Sequence, residues 1–285
     1  MYLKKIVLVF VISFITTNLL AQGSYFTINT GYGISMSSQN INFLDVDFSN
    51  RFTEEESDGS LSTKYEQVNV SLGKGLDIGG TYGYMFNENF GAEITISYLA
   101  GNQYEATREY QYGSYYNTED YTLSSNMLKF NPSVVVAPGF KKFNPYMKFG
   151  VIVGVGKILH KTEEDISGFN PLIIETKQEF KGGLAVGLSS GAGVMYNFKE
   201  NMYLFGELKM INLSYAPTKG ETTEYVVNGE DQLSELTTRE KKINFVDSYT
   251  TNSDETPPDS EPRKALRGKF PYGSLGVNVG VMISL

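Results

Sequence analysis

Apolar and polar residues alternate with a period of two along eight segments of the chain. In the segment Leu72–Phe86, even positions such as Ile78 and Tyr82 are large and mostly apolar, and odd positions such as Asp77 and Thr81 are small or polar. This is the pattern of a β-strand whose two faces meet different surroundings. It therefore predicts eight strands, of which the other seven are Phe26–Ile34, Phe90–Tyr98, Leu128–Val136, Met147–Val155, Gly183–Val194, Leu204–Met210 and Ser274–Ile283.

The connections between these segments alternate strictly between short and long. Three are tight turns: Asn87–Asn89, Lys141–Asn144 and Lys199–Asn201. Four are long and polar: Ser37–Ser71, Asn102–Asn126, Leu159–Gly182 and Pro217–Phe270. An antiparallel barrel with an even number of strands, short turns at one end and long loops at the other gives this order. The predicted fold class is therefore an all-β, eight-stranded antiparallel up-and-down barrel.

Two features indicate that the apolar face of this barrel meets lipid. The polar face is rich in glycine, which suits the narrow interior of an eight-stranded barrel. Aromatic residues also collect beside the short turns, as at a membrane interface: Tyr84, Phe86, Phe90, Phe140, Phe143, Tyr146, Tyr196, Phe198, Tyr203 and Phe205. We therefore expect a transmembrane barrel with periplasmic turns and extracellular loops, rather than a soluble barrel that carries a ligand.

The first residues have the features of a secretory signal peptide. Met1–Ala21 has a short basic start, the apolar run Ile6–Ile15 and a small final residue. That run is shorter than the ~20 residues that a membrane-spanning helix needs, which favours cleavage after Ala21 over retention as an anchor. We expect residues 22–285 to form a single barrel domain.

Composition excludes several classes of function. The chain has no cysteine, which excludes disulfides, thiolate metal sites and a cysteine nucleophile. Its 24 basic residues are outnumbered by 32 acidic residues, so we expect no nucleic-acid partner.

The repeated hairpins resemble those of small outer-membrane barrels of Gram-negative bacteria, such as the transmembrane domain of OmpA and OmpX. Gly75–Gly101 and Ser189–Met210 carry the resemblance most clearly. It implies a monomeric outer-membrane protein in contact with membrane lipid and lipopolysaccharide, without a catalytic motif. Two departures are that the family's usual terminal aromatic is replaced by Leu285, and that no peptidoglycan-binding domain is expected after it.

Six charged residues should point into the lumen, because they share the parity of the polar face. Three are acidic and three are basic, so their charges sum to zero: Asp77, Glu93, Lys129, Lys148, Glu207 and Lys209. An unpaired charge in so narrow an interior would be costly. We therefore expect a structural ionic network that crosses the barrel and blocks conduction.

The first long loop has the ligand spacing of a calcium-binding loop. Oxygen-bearing side chains stand at positions 1, 3, 5 and 12 of a twelve-residue stretch: Asp45, Asp47, Ser49 and Glu56. The usual glycine at position 6 is Asn50. The alternative is a solvated acidic loop, and apart from calcium we expect no cofactor.

His160, the only histidine, stands where the fifth strand enters a long loop. Some barrels of this size are lipid A deacylases that use a serine, a histidine and a carboxylate. No serine stands at hydrogen-bonding spacing on the same strand face, so a histidine at the loop edge is favoured over a hydrolytic one.

The long loops are the expected functional surface. Six tyrosines crowd the second loop, and exposed tyrosine is favoured in recognition surfaces: Tyr104, Tyr110, Tyr112, Tyr115, Tyr116 and Tyr121. We expect a non-enzymatic structural or surface-interaction role, with an extracellular protein or surface partner. The alternatives are a narrow pore or lateral-exit channel for small solutes and, third, a lipid-modifying enzyme.

Overall fold

Eight long strands form a barrel in the computed structural model, which describes residues 23–36, 38–39, 41–43, 46–140, 142–168, 171–251 and 256–285. The expected signal peptide lies outside these residues. The barrel strands are β1 (Gly23–Ser35), β2 (Gly75–Met85), β3 (Phe90–Gly101), β4 (Tyr115–Val136), β5 (Phe143–Ser167), β6 (Ala185–Lys199), β7 (Met202–Tyr215) and β8 (Ser274–Ser284).

Each barrel strand pairs antiparallel with its neighbour in the chain. The last strand returns to the first, with pairs from Tyr25↔Ser284 to Ser35↔Ser274, so the sheet closes. The predicted fold class is confirmed. We call the end with the short turns the turn end, and the opposite end the loop end.

The two faces of the barrel have opposite character. Apolar side chains cover the outside, where Ile28 is 63% exposed and Leu188 is 65% exposed. Thr81 and Asn131 are buried on the inner face. A soluble barrel would reverse these faces, so the outward apolar surface is the one that suits lipid.

The aromatic residues beside the turns do not all face outward as expected. Five are exposed there: Phe86, Phe90, Phe140, Phe143 and Phe198. Tyr146 and Phe205, which were placed with them, are buried inside the barrel. The prediction is wrong for these two because it used closeness to a turn rather than strand parity. Tyr146 shares the parity of the inward-facing Lys148, and Phe205 that of Glu207.

The sheet continues beyond the predicted strand ends at the loop end. The segments Asn102–Asn126 and Leu159–Gly182 were expected to be loops, but most of each is strand. Tyr104–Tyr112 pairs with the upper part of β4, and Leu172–Lys181 pairs with the upper part of β5. Above the lipid-facing band the outer face of the sheet becomes polar, and the inner face is apolar at only a few positions such as Ile158 and Phe180, so the sustained alternation that marks a strand ends there.

Shorter elements complete the loop end. The further strands are Asn42–Phe43, Val46–Asp47, Ser49–Glu55, Leu61–Gln67, Lys219–Val227, Glu230–Asp231, Lys242–Val246, Arg263–Leu266 and Phe270–Pro271. A 3₁₀ turn covers Leu233–Glu235, and the helix α1 covers Thr238–Lys241 with a capping box at its start. Among the described residues, no helix is both long enough and apolar enough to cross a membrane.

A buried apolar cluster fills the interior at the loop end, and we call it the apolar cap. It joins inward side chains of the barrel to residues of the loops: Ile41, Phe48, Val70, Leu72, Leu99, Ala106, Leu123, Met127, Ile152, Ile158, Phe180, Ala185, Ile211, Leu213, Tyr215, Ile243, Phe245, Phe270 and Tyr272. The loops are therefore packed onto the barrel.

Candidate functional site: the barrel lumen

Below the apolar cap, the inner face of the barrel is polar. Its buried residues include threonine, serine and asparagine from most of the barrel strands: Thr27, Asn29, Thr81, Thr95, Ser97, Asn131, Ser133, Ser189 and Asn278. Many of them bond to each other, as in the 2.8 Å contact between the Thr81 and Thr95 hydroxyls. A satisfied polar network of this kind holds its side chains in fixed positions.

The lower group of charges consists of one lysine between two carboxylates. The Lys148 ammonium lies 3.0 Å from Glu93 Oε1 and 2.8 Å from Glu207 Oε2. The side chains of Glu93 and Glu207 are 5% and 1% exposed. These residues come from β5, β3 and β7, so the cluster crosses the barrel. We call it the lower ion cluster.

Two tyrosines complete the lower ion cluster. The Tyr25 hydroxyl donates to Glu93 Oε2 and the Tyr146 hydroxyl donates to Glu207 Oε2, each at 2.9 Å. Lys148 Nζ also lies 5.5 Å from the centre of the Tyr146 ring, within range of a cation–π interaction. Neither tyrosine was expected in the lumen, although Tyr25 shares the parity of the inward-facing Thr27 and Tyr146 that of Lys148.

Glycines on neighbouring strands make room for this cluster. A Cβ atom on Gly83 would lie 2.1 Å from the Tyr25 ring, and one on Gly193 would lie 2.8 Å from the Tyr146 ring. A Cβ on Gly191 would lie 2.9 Å from the carboxyl carbon of Glu207. The glycine-rich inner face therefore has a definite cause, because the glycines leave the volume that the large side chains occupy.

The upper group of charges contains Asp77, Lys129 and Lys209. Lys129 forms an ion pair with Asp77, and its side chain is only 4% exposed. Lys209 lines the same small cavity as this pair. Among the described residues it forms no ion pair within 4.0 Å. The structure thus places five of the six expected lumen charges in direct contact and the sixth beside them.

Little open space remains around these charges. The cavity beside Asp77, Lys129 and Lys209 has a volume of about 30 Å³, and the one beside Asn29 and Ser189 about 10 Å³. A cavity of that size holds about one or two waters. Between the two ends of the barrel, the described side chains therefore leave no wide passage.

A larger cavity of about 440 Å³ opens at the turn end. Its lining includes Tyr25, Tyr146 and Lys148 of the lower ion cluster, together with apolar side chains such as Met195 and Phe205. The cavity is a vestibule closed by the lower ion cluster.

His160 lies inside the extension of the barrel and not at a loop edge as expected. It belongs to β5, and its ring stacks on Tyr121 with 5.9 Å between ring centres. The centre of the Phe180 ring, which belongs to the apolar cap, lies 6.4 Å from the centre of the His160 ring. This environment is that of a packed aromatic ring.

The described part of the first loop does not bring the calcium-site residues together. Asp45 and the side chain of Asp47 lie outside the described residues. Ser49 begins the strand Ser49–Glu55, and Glu56 follows its end. Glu56 is seven residue steps along extended chain from Ser49, at about 3.3 Å a step. Among the described residues, no three acidic or histidine side chains converge in a way that could hold a metal ion.

The outward apolar face and the packed polar lumen define a membrane-spanning β-barrel. Residues 7–234 match the family model described as the outer membrane protein beta-barrel domain, and the chain belongs to that family. Because barrels of this class have short periplasmic turns and longer extracellular loops, we expect the turn end at the periplasm and the loop end outside the cell.

The fold also resembles that of a solved outer-membrane protein structure. The crystal structure of Acinetobacter baumannii CarO is similar with a TM-score of 0.26 and 14% sequence identity, covering 73% of this chain and 92% of that one. No curated protein matches the chain.

Proposed function

We propose that this protein is a non-enzymatic outer-membrane barrel with a closed lumen, which serves as a rigid support for an extracellular interaction surface. The observation that carries the proposal is the filling of the lumen at successive heights. The lower ion cluster, the Asp77–Lys129 pair and the apolar cap together occupy the route from periplasm to cell exterior.

The extracellular surface offers large, exposed side chains for contact with a protein or another surface. At the tip of the hairpin between Tyr104–Tyr112 and β4, the side chains of Tyr112 and Tyr115 are 52% and 39% exposed. Tyr65, on the neighbouring hairpin, is 70% exposed. Tyrosine gives a large contact area with little loss of conformational freedom.

The experiment that tests this proposal is a conductance measurement on the refolded barrel in a planar bilayer. We expect no steady single-channel current from the wild type. We expect Lys148→Ala to lower the free energy of unfolding by about 3–5 kcal/mol, because Glu93 and Glu207 would lose the cation between them. The control is Lys199→Ala in an exposed turn, which should unfold like the wild type.

The second candidate is a narrow pore or lateral-exit channel for small solutes, and the periplasmic vestibule of about 440 Å³ favours it. A large, steady current in the wild type that Lys148→Ala leaves unchanged would replace the closed barrel with this function.

A further inference from the structure

Four lysines and one asparagine lie side by side on the outward face of the extracellular extension. The strand register places each of them directly opposite the next across five neighbouring strands: Lys157, Lys181, Lys219, Asn244 and Lys264. We call this set the lysine row. The residues that alternate with it, such as Ile158 and Phe245, are buried in the apolar cap. The lysine side chains therefore point away from the barrel.

The lysine row lies at the upper edge of the lipid-facing surface. On the membrane side of the row, within three residues of Lys157, Lys181 and Lys264 along the chain, lie three exposed apolar residues. They are Val155, Leu184 and Leu266, which are 48%, 61% and 63% exposed. Exposed apolar residues of this kind lie in the hydrocarbon region of the membrane. The row above them is therefore at the height of the lipid headgroups.

The row concentrates positive charge in an acidic protein. The chain carries a formal charge of −8, yet these four lysines lie about one strand spacing apart, or ~4.8 Å, except where Asn244 intervenes. Like charges directly opposite each other on neighbouring strands are destabilising. Anions held against the row would remove that cost.

The carboxylates next to the lysine row neutralise only part of its positive charge. Glu179 lies 2.9 Å from Lys157, and Glu221 lies 3.3 Å from Lys181. Among the described residues, neither Lys219 nor Lys264 forms an ion pair within 4.0 Å. The set of four lysines and two glutamates keeps a net positive charge.

We infer that the lysine row binds the phosphate groups of lipid A, the membrane-embedded part of lipopolysaccharide, in the outer leaflet. Its acyl chains would lie against Val155, Leu184 and Leu266, and its phosphates would accept hydrogen bonds from the lysine ammonium groups. The resemblance in sequence implied contact with lipopolysaccharide, and the lysine row would be the site of that contact. The inference does not depend on whether the lumen conducts.

The test is retention of lipid A by the folded barrel, measured by native mass spectrometry after mixing in detergent micelles. Two lipids are compared: lipid A with both phosphates, and the same lipid after enzymatic dephosphorylation. The wild type should retain the phosphorylated lipid several-fold better. The variant Lys157→Gln/Lys181→Gln should lose most of that difference, and adding Lys219→Gln and Lys264→Gln should abolish it.

The matched control is Lys161→Gln/Lys177→Gln. These lysines lie directly opposite each other on the same two strands, about 13 Å further from the membrane. This control variant should retain phosphorylated lipid A as well as the wild type does, although it removes the same number of charges as Lys157→Gln/Lys181→Gln. The variant Lys157→Arg/Lys181→Arg should also bind as the wild type does.

Several results would overturn the inference. One is equal retention of the phosphorylated and dephosphorylated lipids by the wild type. Another is an equal loss in the control and row variants, which would indicate a diffuse charge effect. Folding of every variant is checked by the change of gel mobility on heating. If the glutamine variants fail to fold, the comparison of the two lipids on the wild type and a loss of phosphate preference in the folded arginine variant can each still contradict the inference.

Discussion

At the scale of single residues, large side chains fit inside the barrel only where glycines on neighbouring strands leave room for them. Tyr25 and Tyr146 reach Glu93 and Glu207 only because glycines stand where any other residue would place a Cβ atom. The glycines of the inner face therefore contribute to the ionic network without touching it through a side chain.

We predict that Gly83→Ala destabilises the barrel by about 1–3 kcal/mol, since its Cβ would lie 2.1 Å from the Tyr25 ring and must displace it. Gly206→Ala is the matched control, because nothing lies within 4 Å of a Cβ at that position. Urea unfolding of the two variants in the same lipid measures the difference. Equal stability of both would show that Tyr25 has room to move.

At the scale of elements, long hairpins replace the loops at the extracellular end. The hairpin of Tyr104–Tyr112 and β4 turns at Gly113, whose φ of 58° lies in the left-handed region that glycine adopts without strain. At the other end of the barrel, Glu200 and Asn201 form the tight turn between β6 and β7. The two tips should therefore lie on opposite sides of the membrane.

Labelling of single cysteines tests this topology, and the absence of natural cysteine removes any background. On intact cells, a membrane-impermeant maleimide should label Ser114→Cys at the hairpin tip. It should label Glu200→Cys, in the exposed turn at the other end, only after the outer membrane is permeabilised. The reverse pattern of labelling would mean that the barrel is inserted in the opposite direction.

At the scale of the whole molecule, the lumen is filled by two kinds of barrier in series. The lower ion cluster and the Asp77–Lys129 pair fill it with charge pairs towards the turn end, and the apolar cap fills it with packed rings at the loop end. Tyr215 and Tyr272 belong to this cap, and their rings meet edge to face at 6.1 Å.

Two barriers in series predict that opening one alone admits few ions. We expect Lys148→Ala and Tyr272→Ala each to give little or no ion leak from liposomes, and the double variant to leak clearly more than the sum of the two. A single variant that leaks as much as the double variant would show that the barrier it removes is the sole one.

The sequence by itself determined the fold class, the outward apolar face and the six lumen charges. Strand alternation fixes which residues share a face, because a side chain on a strand has only two directions. The same rule predicts that the side chains of Tyr25 and Tyr146 face the lumen. Reading Tyr146 and Phe205 by their closeness to a turn placed them on the wrong face.

Only the tertiary structure decided how the charges pair and where the loops lie. Lys148, Glu93 and Glu207 come from three different strands, and the heights at which they meet depend on register across the whole barrel, which alternation does not specify. The lysine row depends on register in the same way. The hairpins above the membrane escaped prediction because their outer face is polar and their inner face is apolar at only a few positions near the barrel, such as Ile158 and Phe180. Further out, polar residues such as Thr162 and Glu163 follow each other along the strand, so no sustained hydrophobic alternation marks it.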